Sequence, residues 1–194
     1  KGFGDKNPET WDEFVYTRTL GCKDINLASS RTDPPMSPDQ FQELLKTLKF
    51  TNGNDSGFVL EKYRKTYKAI FESQVTEFHF DGLGWSFPLV DLWETALRHC
   101  ADSLLELDLS RNDLTGDVAI FSGLRSVMKL NLGMNGKLTG NILAFQLLVN
   151  LTHLDVRFCV KLEGDISAFK LLVNLTELDV SYCNKLEGNI STFK

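Results

Sequence analysis

The 194 residues are 42% hydrophobic and 24% charged, enough apolar material for one sizeable core or two small ones and too ordinary a charge content for wholesale disorder. Residues 1–73 balance 11 basic against 11 acidic side chains, whereas residues 74–194 carry 10 against 15, so the net charge of −5 arises in the second part. That distribution excludes the basic stripe of a nucleic-acid binder, and no apolar stretch approaches the ~20 residues of a bilayer-spanning helix. A soluble chain, at most peripheral to a membrane, is expected.

The chain opens on Lys1 rather than Met, which implies that something precedes it. Residues 1–73 read as helices. Asn7-Pro8 is a cap and first-turn pair for a helix over 8–20, and Gly21 stops it. A linker with Pro34-Pro35 follows. Ser37, Pro38 and Gln40 form a capping-box signature, and Phe41, Leu44, Leu45 and Leu48 give one buried stripe. After the turn-rich TNGNDSG, a further helix over 58–73 carries Val59, Tyr63, Tyr67, Ile70 and Phe71 on one side. Lys62, Arg64, Lys65 and Lys68 form a basic face on it, read as solvated.

From residue 74 the sequence repeats. The pattern LxxLxLxx(N/C) recurs at Leu104-Leu107-Leu109-Asn112, Val127-Leu130-Leu132-Asn135, Leu151-Leu154-Val156-Cys159 and Leu175-Leu178-Val180-Cys183, at spacings of 23, 24 and 24 residues. A weaker copy, Val75-Phe78-Phe80-Leu83, stands 29 residues ahead. Segments 150–170 and 174–194 agree at 15 of 21 positions. A fixed period of this length marks a solenoid, whose units bury their apolar faces only by stacking. The xLxL alternation predicts a short strand in each unit. Val118, Ile142, Ile166 and Ile190, with Phe121, Phe145, Phe169 and Phe193, continue the core. Leu89, Leu92, Trp93, Ala96 and Leu97 predict a helix in the first unit, while later units have room for only a turn or two. One residue is inserted after Asn135 (Gly136-Lys137, against Asp113 alone), which alters a loop and not a strand.

These motifs resemble leucine-rich repeats, and LTGDV, LTGNI, LEGDI and LEGNI resemble the plant-type subclass. The run YRKTYKAIF…VTEFHFDGLGW is similar to repeat proteins common in single-celled algae. The fold class expected is therefore α/β: a leucine-rich-repeat solenoid with a parallel concave sheet and an α-helical N-terminal cap. Residues 1–73 are the capping region and residues 74–194 the array, which breaks off without a capping sequence and is read as truncated at its C-terminal end. Asn112, Asn135, Cys159 and Cys183 fall where the chain turns inward and a small polar group must satisfy the backbone.

No catalytic arrangement emerges. His79, His99 and His153 have no Ser or Cys in a hydrolase-like local motif, and GLGW is no phosphate loop. Four cysteines are too few for a disulfide framework, and none forms a CxxC pair, so no zinc site or other cofactor is expected. Cys159 and Cys183 are read as reduced and packed. Four N-x-S/T sequons, at Asn54, Asn150, Asn174 and Asn189, matter only in a secreted protein; two are one repeat position copied. An intracellular or organellar setting, a plastid included, is favoured over a secreted one.

What remains is the concave face. Strand alternation lays out one outward column of Glu77, Glu106, Lys129, His153 and Glu177, and a second of His79, Asp108, Asn131, Asp155 and Asp179. Asp81, Ser110, Gly133, Arg157 and Ser181 run beside them, then Arg111, Met134, Phe158 and Tyr182. The candidate partner-binding residues are Glu106, Asp108, Lys129, His153, Asp155, Arg157, Phe158, Glu177, Asp179 and Tyr182. A carboxylate-rich stripe flanked by two rings suits a protein partner with a basic, partly apolar surface. The resemblance implies non-catalytic protein recognition. The alternatives are an accessory subunit of a large organellar complex, photosynthetic ones included, and the sensor part of a longer receptor or enzyme.

Overall fold

The computed structural model describes residues 34–50, 55–72 and 74–189. The helix expected over 8–20, most of the linker after it, and Ile190 and Phe193 lie outside these residues. Helix α1 (Pro38–Thr47) starts on the expected capping box: the Gln40 N–H donates to Ser37 Oγ at 3.3 Å and the Ser37 N–H to Gln40 Oε1 at 2.7 Å. Phe41 and Leu45 are buried. Leu48, expected on the same stripe, is half exposed instead, because the helix ends at Thr47 and Leu48 turns to an extended conformation (φ −91°, ψ 144°). Helix α2 (Asp55–Tyr67) begins three residues earlier than the sequence suggests and runs into a π-helical turn, Lys68–Glu72. On its basic face Arg64 donates to Gln42 and Lys65 pairs with Glu61.

The repeating part builds two parallel sheets. The first joins β1 (Glu77–His79), β2 (Glu106–Asp108), β4 (Lys129–Asn131), β6 (His153–Asp155) and β8 (Glu177–Asp179) in that order. Its register pairs Glu77 with Glu106, then Lys129, His153 and Glu177, the column that leucine spacing predicts. The second sheet joins β3 (Gly116–Asp117), β5 (Leu138–Asn141), β7 (Lys161–Asp165) and β9 (Lys185–Glu187). These are the LTGDV-type segments, whose pairing into a sheet the alternation does not reveal.

The first three second-sheet strands carry Gly116, Gly140 and Gly164, and Gly188 directly follows the fourth, all at φ between +111° and +123°. At Gly164 a Cβ would lie 2.6 Å from Asn141 Oδ1 and 2.9 Å from Ile142 Cγ1. Asn141 Oδ1 is itself occupied, accepting the Leu143 N–H at 2.9 Å to cap the next turn. Gly164→Ala therefore combines a disfavoured backbone with displacement of a cap and a buried isoleucine. A loss of about 2–3 kcal/mol by urea denaturation is expected.

The sheets are linked by 3₁₀ turns, Val118–Gly123, Ile142–Leu147 and Ile166–Leu171, each capped by the Asp or Asn before it. The first unit instead has a helix: α3 (Leu89–Leu92), a π-helical stretch Trp93–Leu97, and α4 (Arg98–Cys100). The Thr95 hydroxyl donates to the Asp91 carbonyl at 2.6 Å, and the Thr95 carbonyl accepts from the Tyr67 hydroxyl. Gly123 is small because the Trp93 ring occupies the place of its Cβ. One apolar core runs from Phe41 to Cys183, its front threaded by ring contacts from Phe41 through Tyr63, Tyr67, Phe71, Phe78, Phe80 and Trp85 to Phe87.

The inward-turning position explains the change from asparagine to cysteine along the array. Asn112 Oδ1 accepts the Trp85 N–H at 3.0 Å, and Asn135 Oδ1 accepts the Leu114 N–H at 3.2 Å. Beyond the inserted residue, the Leu138 N–H reaches its own loop's Asn135 carbonyl at 3.1 Å, and Leu162 reaches Cys159 likewise. Cys159 and Cys183 therefore face no orphan donor. Each thiol need only donate, to the Leu132 carbonyl at 3.3 Å and the Val156 carbonyl at 3.0 Å. Both are free, buried thiols, and burial pushes Cys159 up to about 12.

The sequon residues serve the same stacking. Asn150 Nδ2 donates to the Arg125 carbonyl at 2.9 Å and Asn174 Nδ2 to the Val149 carbonyl at 3.0 Å, each one coil back.

Candidate functional site

The five-stranded sheet brings all ten candidate residues to one face. Glu106, Lys129, His153 and Glu177 occupy one register column, Asp108, Asp155 and Asp179 the next, and Arg157, Phe158 and Tyr182 follow at the strand ends. In the first column Lys129 Nζ lies 2.9 Å from Glu106 Oε2, and His153 Nε2 lies 3.1 Å from Glu177 Oε1. The hydrogen bond that the Lys129 ammonium donates to Glu106 holds it above its ordinary pKa.

The second column works differently. Asp108, Asn131, Asp155 and Asp179 each accept, through Oδ1, the backbone N–H two residues on, at 2.8–3.1 Å. These carboxylates close the turn at each strand's end and still present a second oxygen. Asn131, absent from the sequence-derived candidates, holds the same turn without charge and donates to Asp108 Oδ2 at 3.0 Å. Ser110 and Gly133, expected on the outward face, are buried. A Cβ on Gly133 would lie 2.9 Å from Asp155 Oδ1 and 3.2 Å from Arg157 Cγ, so the neighbouring coil's side chains cover it.

Asp155 and Asp179 share a repeat position and shift in opposite directions. Burial raises Asp155, against the Arg157 N–H and guanidinium, with Asp179 and Asp108 adding to the rise. Arg157 Nε is 3.3 Å from Asp155, but desolvation wins. Asp179 is lowered by the Ser181 hydroxyl and N–H. For a carboxyl raised in the folded state, ionisation costs stability, fully above its folded pKa and not at all below the unfolded one. Asp155→Asn keeps the turn, as Asn131 does, and removes that cost. It should gain stability at neutral pH, and the gain should vanish as pH falls through the carboxylate range, read by melting temperature against pH.

Arg111, Met134, Phe158 and Tyr182 adopt left-handed backbone, φ 57–62°, a conformation costing a non-glycine residue roughly 1–2 kcal/mol. Phe158 and Tyr182 stack face to face, centroids 4.2 Å apart at 8°, while 40% and 64% exposed. Beside them an open hollow of about 480 Å³ is lined by His153, Asp155, Arg157, Glu177 and Asp179 over a floor of leucines. Among the described residues, no group of three or more His, Cys, Asp or Glu is placed to hold a metal ion, and no helix is long and apolar enough to cross a membrane.

Stacked LxxLxL strands, an inward ladder of asparagine and cysteine, and a single-sided polar sheet define the leucine-rich-repeat solenoid fold. Among solved structures it is similar to the leucine-rich-repeat ectodomain of the receptor kinase SOBIR1 from Arabidopsis thaliana, with 28% identity and a TM-score of 0.50 over 60% of this chain and 60% of that one. It is also similar to the plant peptide hormone receptor RGFR1, solved in complex with RGF2, with 21% identity and a TM-score of 0.39 over 58% of this chain and 20% of that one. The chain thus spans three-fifths of the SOBIR1 ectodomain's length. No family model matches the chain, and no curated protein does.

Proposed function

We propose that this chain is a non-catalytic recognition module that binds another protein, or a peptide segment of one, through the outer face of its five-stranded sheet. Likeness to a receptor ectodomain supports this reading, and one observation carries it. The two strand columns present six carboxylates, Glu77, Glu106, Glu177, Asp108, Asp155 and Asp179, against Lys129 and the adjoining Arg157. The surplus charge stands beside an open hollow and an exposed ring stack. The partner fitted to it has a basic surface with an apolar edge. Residues 1–73 act as the helical cap of this array and residues 74–194 as its binding part.

A second reading has its own observation. At and just past the ends of the last two 3₁₀ turns, Leu147, Val149, Leu171 and Val173 are 53–85% exposed, an aliphatic ridge suited to permanent docking as an accessory subunit. Capture from an extract of the source cells at graded salt separates the two. A sheet-face partner is released by moderate salt and by Asp108/Asp155/Asp179→Asn; a partner held equally through both contradicts the proposal.

A further inference from the structure

We infer that the left-handed column at the edge of the sheet is a reading rim: the Phe158–Tyr182 stack seats an aromatic or aliphatic side chain of an extended peptide whose neighbouring basic residue lies against Asp155 and Asp179. This assignment rests on the recognition role proposed above and specifies its partner's chemistry.

The backbone supplies the first reason. Gly82, at φ 63°, holds the same turn in the first unit and donates its N–H to the Ser110 carbonyl at 2.9 Å. Arg111, Met134 and Phe158 donate equivalently to Gly133, Arg157 and Ser181 at 2.8–2.9 Å. Glycine therefore suffices for the turn and adopts its conformation freely. Four successive units nevertheless carry a long or aromatic side chain there. Met134, Phe158 and Tyr182 are 45%, 40% and 64% exposed, so these side chains do not fill the core. Their retention at a backbone cost points to work done by the side chains themselves. Between the two near-identical units the position changes from Phe to Tyr and the ring persists.

Charge complementarity selects the occupant. Immediately inward, Asp155 and Asp179 share one guanidinium, that of Arg157, at 3.3 and 3.8 Å, leaving one carboxylate charge in excess beside the open hollow. An entirely apolar segment would strip water from those carboxylates without pairing them. An entirely basic one would leave both rings uncovered. A segment with one apolar or aromatic and one Arg or Lys side chain satisfies both.

The test uses the full chain and an immobilised array of synthetic ten-residue peptides. Each contains Arg or Lys beside Trp, Phe or Leu, with matched controls in which the apolar residue becomes Ala or the basic residue Glu. Wild type should retain the mixed peptides and reject both controls. Phe158→Gly/Tyr182→Gly should weaken retention at least tenfold with an unchanged or higher melting temperature, because glycine favours this turn. Retention indifferent to the glycine variant but weakened by Asp155→Asn/Asp179→Asn overturns the rim and leaves sheet-face recognition standing. Retention indifferent to both variants, or none by wild type, overturns both. A clearly lower melting temperature in the glycine variant also overturns the rim, since the rings then serve the fold.

Discussion

Replacing Asn135 with alanine is expected to lower the stability of the fold by about 3–4 kcal/mol. The side chain is fully buried and joins three backbone groups across two coils: its Nδ2 donates to the carbonyls of Leu109 and Leu132, both at 2.9 Å, and its Oδ1 accepts the Leu114 N–H. The carbonyls keep other partners, from Asn112 and Cys159. The Leu114 N–H has Asn135 alone, so alanine orphans a buried donor and opens a small void. Asn135→Cys isolates the first effect. It restores a donor toward Leu109, as Cys159 and Cys183 each donate one coil back, but no acceptor for Leu114, and about 2 kcal/mol should still be lost. In the other direction Cys159→Asn introduces a carbonyl with no donor facing it, and it too should destabilise. Guanidinium denaturation of the three variants measures all of this. An Asn135→Cys variant as stable as wild type would refute the link between loop length and ladder residue.

Neutralising the acidic column should have the largest effect on binding. Asp108/Asp155/Asp179→Asn is expected to weaken a basic partner about 100-fold at low salt, equivalent to about 2.7 kcal/mol, while changing stability by less than about 1 kcal/mol. Asparagine is the informative replacement. A lysine at these positions would remove the acceptors that close three turns, so lost binding would be confounded with a disturbed sheet edge. Asn131 shows that the carboxamide makes the turn in this very column. Titration of an identified partner by calorimetry, with melting temperatures of both proteins, gives the two numbers together.

Leucine spacing was sufficient to place the outward columns, because a strand's side-chain period of two leaves no freedom once the inward residues are known. Glu106, Lys129, His153 and Glu177 pair in the expected order for that reason. Three features are set instead by contacts between coils, which a linear pattern does not carry. The second sheet forms from strands with at most one apolar residue each, so no apolar alternation marks them. Its repeated glycines at residues 116, 140, 164 and 188 were the available signal. The left-handed backbone at Arg111, Met134, Phe158 and Tyr182 has no compositional mark, since the residues there disfavour it. Gly133 is covered by the next coil's Asp155 and Arg157, a matter of side-chain length rather than of strand phase, and Ser110 is buried as well.

In the proposed role the sheet face, and not the aliphatic ridge, carries recognition. The most direct measurement is capture from native extract at graded salt with three proteins: wild type, Asp108/Asp155/Asp179→Asn and Leu147→Gln/Leu171→Gln, all confirmed folded. The expected result is a partner that the ridge variant retains, the face variant loses, and moderate salt releases. A partner retained by the face variant at every salt concentration and lost by the ridge variant would contradict it and assign the chain to permanent docking.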